Sequence, residues 1–135
     1  MEHPNAKIAR RAWDAIARGA AAQLREILAP DLVWQATARG TPWAGVHQGA
    51  EAAIDMLARI GEHTDLFEAD LIDVLASDER ALVVFRMRIG IGSRRIEVDY
   101  LLLGRIAGGR VVEVWSAPLE PGAIESFWKD VARGA

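Results

Sequence analysis

The sequence predicts an α+β domain in which helices pack on one face of a curved antiparallel sheet. Three observations carry that expectation. Arg80 to Leu119 reads as three consecutive long strands, helical periodicity recurs before residue 61, and Ala123 to Val131 returns to a helical pattern carrying Phe127 and Trp128. A run of strands flanked by runs of helices packs as segregated layers around one core. Residues 1–135 are expected to form one domain, since a chain of 135 residues buries a core without staples.

The strand run can be registered to the residue. Apolar alternation over Ala81–Ile91 and Arg94–Ile106 is interrupted by Gly92-Ser93. Glycine at the first central position of a two-residue loop marks a II′ hairpin, because that site requires positive φ. The turn pairs Arg88 with Glu97 and Arg86 with Asp99 on one face. On the other face it pairs Val83 with Leu102, Phe85 with Tyr100, and Met87 with Val98. A one-residue slip would destroy both sets of matches at once. The acids Glu97 and Asp99 therefore belong to an outer charge ladder rather than to a catalytic pair.

The other elements follow in order. Pro4-Asn5 opens a helix to about Arg18 with a stripe of Ile8, Ala12, Ala15 and Ile16, and Gly19 is its C-cap. A short helix from Ala20 to Leu28 is stopped by Ala29-Pro30-Asp31, because proline disfavours helical geometry in the residue before it. Leu32-Val33-Trp34 reads as a short strand, and Thr37 to Gly49 as a loop carrying Trp43 and His47 over the mouth of an internal space. Ala50 to Ile60 is a third helix with Ile54, Leu57 and Ala58 inward, ended by Gly61. Leu66 to Ala76 is a strand of undecided parity, since Asp70 and Asp73 interrupt both faces. The Gly108-Gly109 connection leaves the last strand open to two registers. A two-residue loop sets Trp115 opposite Leu102, whereas a three-residue loop turns Val114 and Ser116 inward and Trp115 out. The second also sends Glu113 outward and is preferred.

Composition narrows the function. The net charge of −3 provides no basic footprint for nucleic acid. There are no cysteines, so disulfides and thiol catalysis are excluded. The opening Met1-Glu2-His3-Pro4-Asn5 lacks the pattern of a signal peptide, and no apolar stretch approaches a membrane span. A cytoplasmic location without membrane association is expected. His3, His47 and His63 are scattered without ligand spacing, so no metal site is expected. Five tryptophans against one tyrosine and three phenylalanines suit an apolar pocket as well as a core.

Three stretches resemble the SnoaL-like polyketide cyclase group of the nuclear transport factor 2-like superfamily, which also contains ketosteroid isomerase. They are Ile27–Trp34, Trp43–Gly49 leading into a helix, and Gly109–Trp115 followed by Pro118-Leu119-Glu120 and Phe127-Trp128. The resemblance spans about residues 5–130. It implies a cone-shaped fold in which three N-terminal helices and a strongly bent sheet enclose an apolar cavity. It also implies a homodimer through the outer sheet face. That face would expose Leu101, Leu103, Val111 and Trp115, a patch that monomers seldom leave open.

The resemblance does not settle the chemistry, because this fold carries many functions. The acid and tyrosine positions of the isomerases fall on Ala36, Ala12 and Leu102, and the acidic positions of related epoxide hydrolases fall near Leu82 and Ser116. The polar candidates left for catalysis are Tyr100, His47 and Glu120. Tyr100 could donate to a ligand carbonyl or be a core tyrosine bonded to backbone. His47 carries an imidazole that could serve as acid or base, or be merely solvated. Glu120 lies where cyclases carry an acid, but it is also a natural helix-entry residue. The candidate ligand-binding set is Trp34, Trp43, Phe85, Met87, Leu102, Val114 and Ser116. Two functions are carried forward. One is a protein for an apolar, polycyclic or terpenoid-like carbonyl compound, with isomerase or cyclase chemistry and no cofactor. The other is a non-catalytic dimeric binding or assembly module.

Overall fold

The computed structural model describes residues 2–134. Four helices and six strands alternate as α1 (Pro4–Arg18), α2 (Ala21–Ile27), β1 (Leu28–Ala36), β2 (Gly45–Gln48) and α3 (Ala50–Glu62). They continue as β3 (Leu66–Ala76), β4 (Arg80–Ile91), β5 (Arg94–Ala107), β6 (Arg110–Pro118) and α4 (Pro121–Gly134). The strands form one open sheet in the order β2-β1-β6-β5-β4-β3. The α+β class is as expected, with one refinement. β1 runs parallel to β6, so the sheet is mixed. Among the described residues no helix is long and apolar enough to cross a membrane.

Every predicted pair of the β4–β5 hairpin is present, from Val83 opposite Leu102 to Arg88 opposite Glu97. Gly92 takes φ 60°, as the turn demands. Outside, Arg86 meets Asp99 at 2.8 Å and Arg88 meets Glu97 at 3.4 Å, while Arg88 also reaches Glu68 and Asp70 on β3. The hydrogen bond from Arg86 holds the Asp99 carboxyl below the usual carboxylate range.

Three bulges account for most of what the sequence left undecided. Leu71 faces Phe85 but Asp73 faces Val84, so Ile72 is the extra residue of β3. An inserted residue switches the strand's faces, and both Asp70 and Asp73 thereby point out. On β6, Ala107 pairs with Arg110, which makes Gly108-Gly109 a two-residue loop after all. A bulge at Val112 then resets the register, so that Leu102 faces Ser116 and Leu103 faces Trp115. Val114 and Ser116 are buried, as preferred, for a different reason than loop length. The same bulge turns Val111 inward, removing it from the outer patch. The third irregularity lies between Leu28 and Val33 of β1, and it lets the strand run through Pro30 instead of beginning after it.

Other boundaries also move. The predicted 37–49 loop contains β2, which pairs with β1 so that His47 stands opposite Trp34. Helix α3 continues past Gly61 to Glu62, and it buries Ala53, Ile54 and Met56 while Ala58 is exposed. Helix α4 starts at Pro121 and buries Ile124 with Phe127 and Trp128.

Helix α1 is pinned at its start. The buried Asn5 amide donates to the carbonyls of Ser77 and Asp78 at 2.9 and 3.1 Å, in the turn between β3 and β4. His3 accepts from the Asn5 N–H and meets Asp78 at 2.9 Å. This anchor sets the line along which α1 crosses the sheet. Replacing Asn5 by alanine removes two buried hydrogen bonds, so Asn5→Ala should lose about 1–2 kcal/mol in urea unfolding. An unchanged midpoint would show that the anchor contributes nothing.

Candidate functional site

The inner face of the sheet holds an apolar floor set by strand alternation. Phe85 and Met87 rise from β4, Tyr100 and Leu102 from β5, Ser116 from β6 and Trp34 from β1. Helix α1 lays Trp13, Ile16 and Ala17 over this floor, and α3 adds Met56, Leu57 and Ile60. Between floor and helices lies a pocket of about 70 Å³. One water needs about 10–15 Å³ of such space and a benzene ring sits in a cavity of about 150 Å³, so the pocket is too small for fused rings and takes one ring only if its walls yield. A second pocket of about 50 Å³ adjoins it, and both share the walls of Trp13, Ile16, Trp34 and Leu102.

Aromatic contacts fix the shape of the larger pocket. Trp13 stacks on Phe85 with ring centres 4.7 Å apart, and Phe85 lies 5.7 Å from Tyr100. Trp43 meets Trp128 of α4 edge to face at 5.4 Å, and Trp128 meets Phe127 in the same way at 5.5 Å. Geometry of this kind adds to burial and restrains ring orientation.

Polar groups in the pocket are few. The Trp34 indole N–H donates to Ser116 Oγ at 2.9 Å, which satisfies the one and orients the other. The Tyr100 hydroxyl is buried and has no hydrogen-bond partner. Burial pushes its pKa from an ordinary 10.0 up to about 12. The nearby Trp43 indole pulls weakly the other way but does not reach hydrogen-bonding geometry. The phenol is thus a neutral donor in a dry site. Trp128 Nε1 is the other buried group without a partner. No carboxylate, imidazole, amine or guanidinium lines either pocket. Among the described residues no cluster of three or more His, Asp or Glu is placed to hold a metal ion.

The structure therefore brings together Tyr100 with Trp34, Trp43, Phe85, Met87, Leu102 and Ser116, and sets Val114 in the adjoining pocket. It does not bring His47 or Glu120 to them. His47 Nε2 donates to the Trp43 carbonyl at 2.7 Å, a contact that positions Trp43 from behind. Glu120 is exposed ahead of α4, and its carbonyl accepts from Ala123 N–H. Trp43 is itself buried, not spread over a mouth. The pocket instead comes nearest the surface at Ala17 of α1 and Phe67 of β3, lining residues that are exposed. Sequence reasoning missed Trp13, and on α3 it turned Leu57 inward but not Met56 or Ile60. Trp13 stands four residues after Ala9 and three before Ile16, so a wider reading of the α1 stripe would have found it.

A mixed sheet with helices over an apolar pocket is the fold of an NTF2-like protein of Burkholderia pseudomallei, which superposes with a TM-score of 0.78 at 20% identity over 91% and 96% of the two chains. The chain belongs to the SnoaL-like domain family, whose profile matches residues 9–114. An uncharacterized protein of Mycobacterium tuberculosis is 31% identical over 123 residues, covering 90% of this chain and 93% of its own. The structure of Bal32a, from a soil-derived mobile gene cassette, superposes with a TM-score of 0.85 at 29% identity, covering 93% and 96% of the two chains. IdmH, a putative polyketide cyclase from Streptomyces antibioticus, shares the fold with a TM-score of 0.74 at 17% identity, over 94% and 99%.

Tyr100 is the single tyrosine, so tyrosinate absorbance reports it alone. Its pKa is raised on folding, so the associated stability is complete below pH 10 and is lost as pH rises toward 12. The loss should be on the order of 2–3 kcal/mol, with ionisation coinciding with unfolding. A tyrosinate step near pH 10 in folded protein would contradict the buried phenol.

Proposed function

We propose that this protein binds a small hydrophobic carbonyl compound in the larger pocket, with the Tyr100 hydroxyl donating to the carbonyl oxygen. The observation that supports the reading is the unpartnered buried hydroxyl of Tyr100, a residue that lines an otherwise apolar, aromatic-walled space. A buried donor without an acceptor costs stability, and a ligand acceptor removes that cost. The ligand is neutral, because no charged side chain lines the pocket to compensate an ion. The pocket volume favours one ring over the polycyclic skeleton expected from the resemblance.

Tyr100 also favours a second reading, cofactor-independent cyclase or isomerase chemistry. A neutral donor at a carbonyl oxygen stabilises the negative charge that develops there as an adjacent proton departs. The pocket supplies no general base for that proton. Binding with polarisation of the carbonyl is therefore the conclusion, and turnover belongs to substrates that carry their own basic group.

The outer sheet face supports a twofold homodimer. Leu75, Leu82, Leu103 and Trp115 follow one another across β3, β4, β5 and β6 in the paired register. Leu101 and Val84 extend the strip beside them. A self-complementary apolar face of this kind is closed by a second copy of itself.

Two measurements test these readings. Tyr100→Phe should leave stability equal or slightly higher, by up to ~1 kcal/mol, while weakening acetophenone binding about tenfold in calorimetry. A variant that is destabilised and binds as before would assign the hydroxyl to structure alone. In sedimentation at micromolar concentration the protein should run as a dimer, and Trp115→Arg as a monomer. A monomeric parent protein would remove the dimer proposal.

A further inference from the structure

The smaller pocket differs in chemistry from the larger one. Its walls include Ala9 and Ala12 from α1, Ala81 from β4, Gly104 and Ile106 from β5, and Val111 from β6. Apart from the shared Trp13 and Trp34, its lining is aliphatic and it carries no polar handle. The space exists because small residues face each other across it. Protein interiors otherwise leave few voids larger than a water.

Gly104 is the informative member. Its φ is not positive, so the backbone does not require glycine there. A Cβ built at Gly104 would stand 3.6 Å from Val111 Cγ1 and 3.8 Å from the Glu113 carbonyl, in ordinary contact. Neither conformation nor crowding excludes alanine. Glycine inside a strand weakens it, and is found where something else approaches closely. What this glycine leaves is room beside the shared wall. In that wall Trp34 is held by Ser116 and Trp13 is stacked on Phe85, whereas Leu102 is neither hydrogen-bonded nor ring-stacked. Leu102 is thus a part of the shared wall that neither kind of contact holds in place.

We infer that the smaller pocket is a tail subsite, and that the ligand is a ring carbonyl compound bearing a short aliphatic chain. The ring and its oxygen occupy the aromatic pocket against Tyr100, and the chain passes Leu102 to lie against Ala9, Ala12 and Gly104. This rests on the reading of the larger pocket given above.

Calorimetry with acetophenone, butyrophenone and hexanophenone on the full chain tests the subsite. Affinity should rise roughly fourfold per methylene until the chain fills the pocket, and then level off. In Gly104→Val the ratio of hexanophenone to acetophenone affinity should collapse toward one, and Gly104→Ala should lower it partway. If the valine variant does not fold, the alanine variant and the chain series decide. Acetophenone binding with a flat series, or a ratio unaffected by both variants, overturns the tail subsite alone. Failure of acetophenone to bind overturns the parent reading and this one with it.

Discussion

Cross-strand pairing between β4 and β5 is the constraint on which the other features depend. Side chains alternate with a period of two, so a register fixed at Gly92-Ser93 decides which residues of both strands face the helices. The pairing sends Arg86, Asp99, Arg88 and Glu97 to one face, where they neutralise one another in solvent. The same pairing sends Phe85, Met87, Tyr100 and Leu102 to the other face, where they make the pocket floor. The Tyr100 phenol and the Asp99 carboxylate that binds Arg86 thus lie on adjacent residues without competing. One face is solvated and the other dry.

Regular alternation was legible in the sequence and interruptions of it were not. The hairpin follows from a turn residue and matched pairs, all local features. The seven ligand-binding candidates lie along the two adjoining pockets because six of them sit on segments where strand parity holds, with Trp43 on the preceding loop. The departures concentrate at Ile72, at Val112 and in the Leu28–Val33 stretch, where one added residue switches faces. A bulge has no strong residue signature, and only its pairing partner reveals it. Trp43 and His47 were placed on an open loop for a related reason. A four-residue edge strand is too short to show alternation, and β2 forms because β1 is there to pair with. The α3 wall was legible in part: Ile54 is buried and Leu57 lines the pocket as the stripe requires, while Met56 and Ile60 widen that face and Ala58 lies outside it.

Of the largest fully buried side chains, Met56 lines the larger pocket, while Leu32, Ile89 and Ile124 fill space away from both pockets. Part of each lining is rigid rings or small residues: Trp13, Trp34, Trp43 and Phe85 about the larger pocket, and Ala9, Ala12, Ala81 and Gly104 about the smaller. Rigid rings keep a space open because they cannot fold into it, and the edge-to-face contacts of Trp43, Trp128 and Phe127 hold that side fixed. His47 adds to this by bonding the Trp43 backbone, so a residue outside the pocket still sets the position of one wall.

What the pocket can do to a ligand follows from the contrast between its two hydroxyls. Ser116 accepts from Trp34, and its position is therefore fixed by the wall it helps to build. Tyr100 lies tilted against Phe85 and keeps its hydrogen bond unspent. Burial that denies the phenol a partner also raises its pKa, so it stays protonated across the physiological range. A group held in its neutral form by a dry environment serves as donor and not as base, the same logic by which apolar sites keep carboxylic acids protonated. On the proposed reading, that hydroxyl is the group that accepts electron density from a ligand oxygen. The same burial that keeps it protonated also keeps it from serving as the base, so any proton removal on that reading falls to another group.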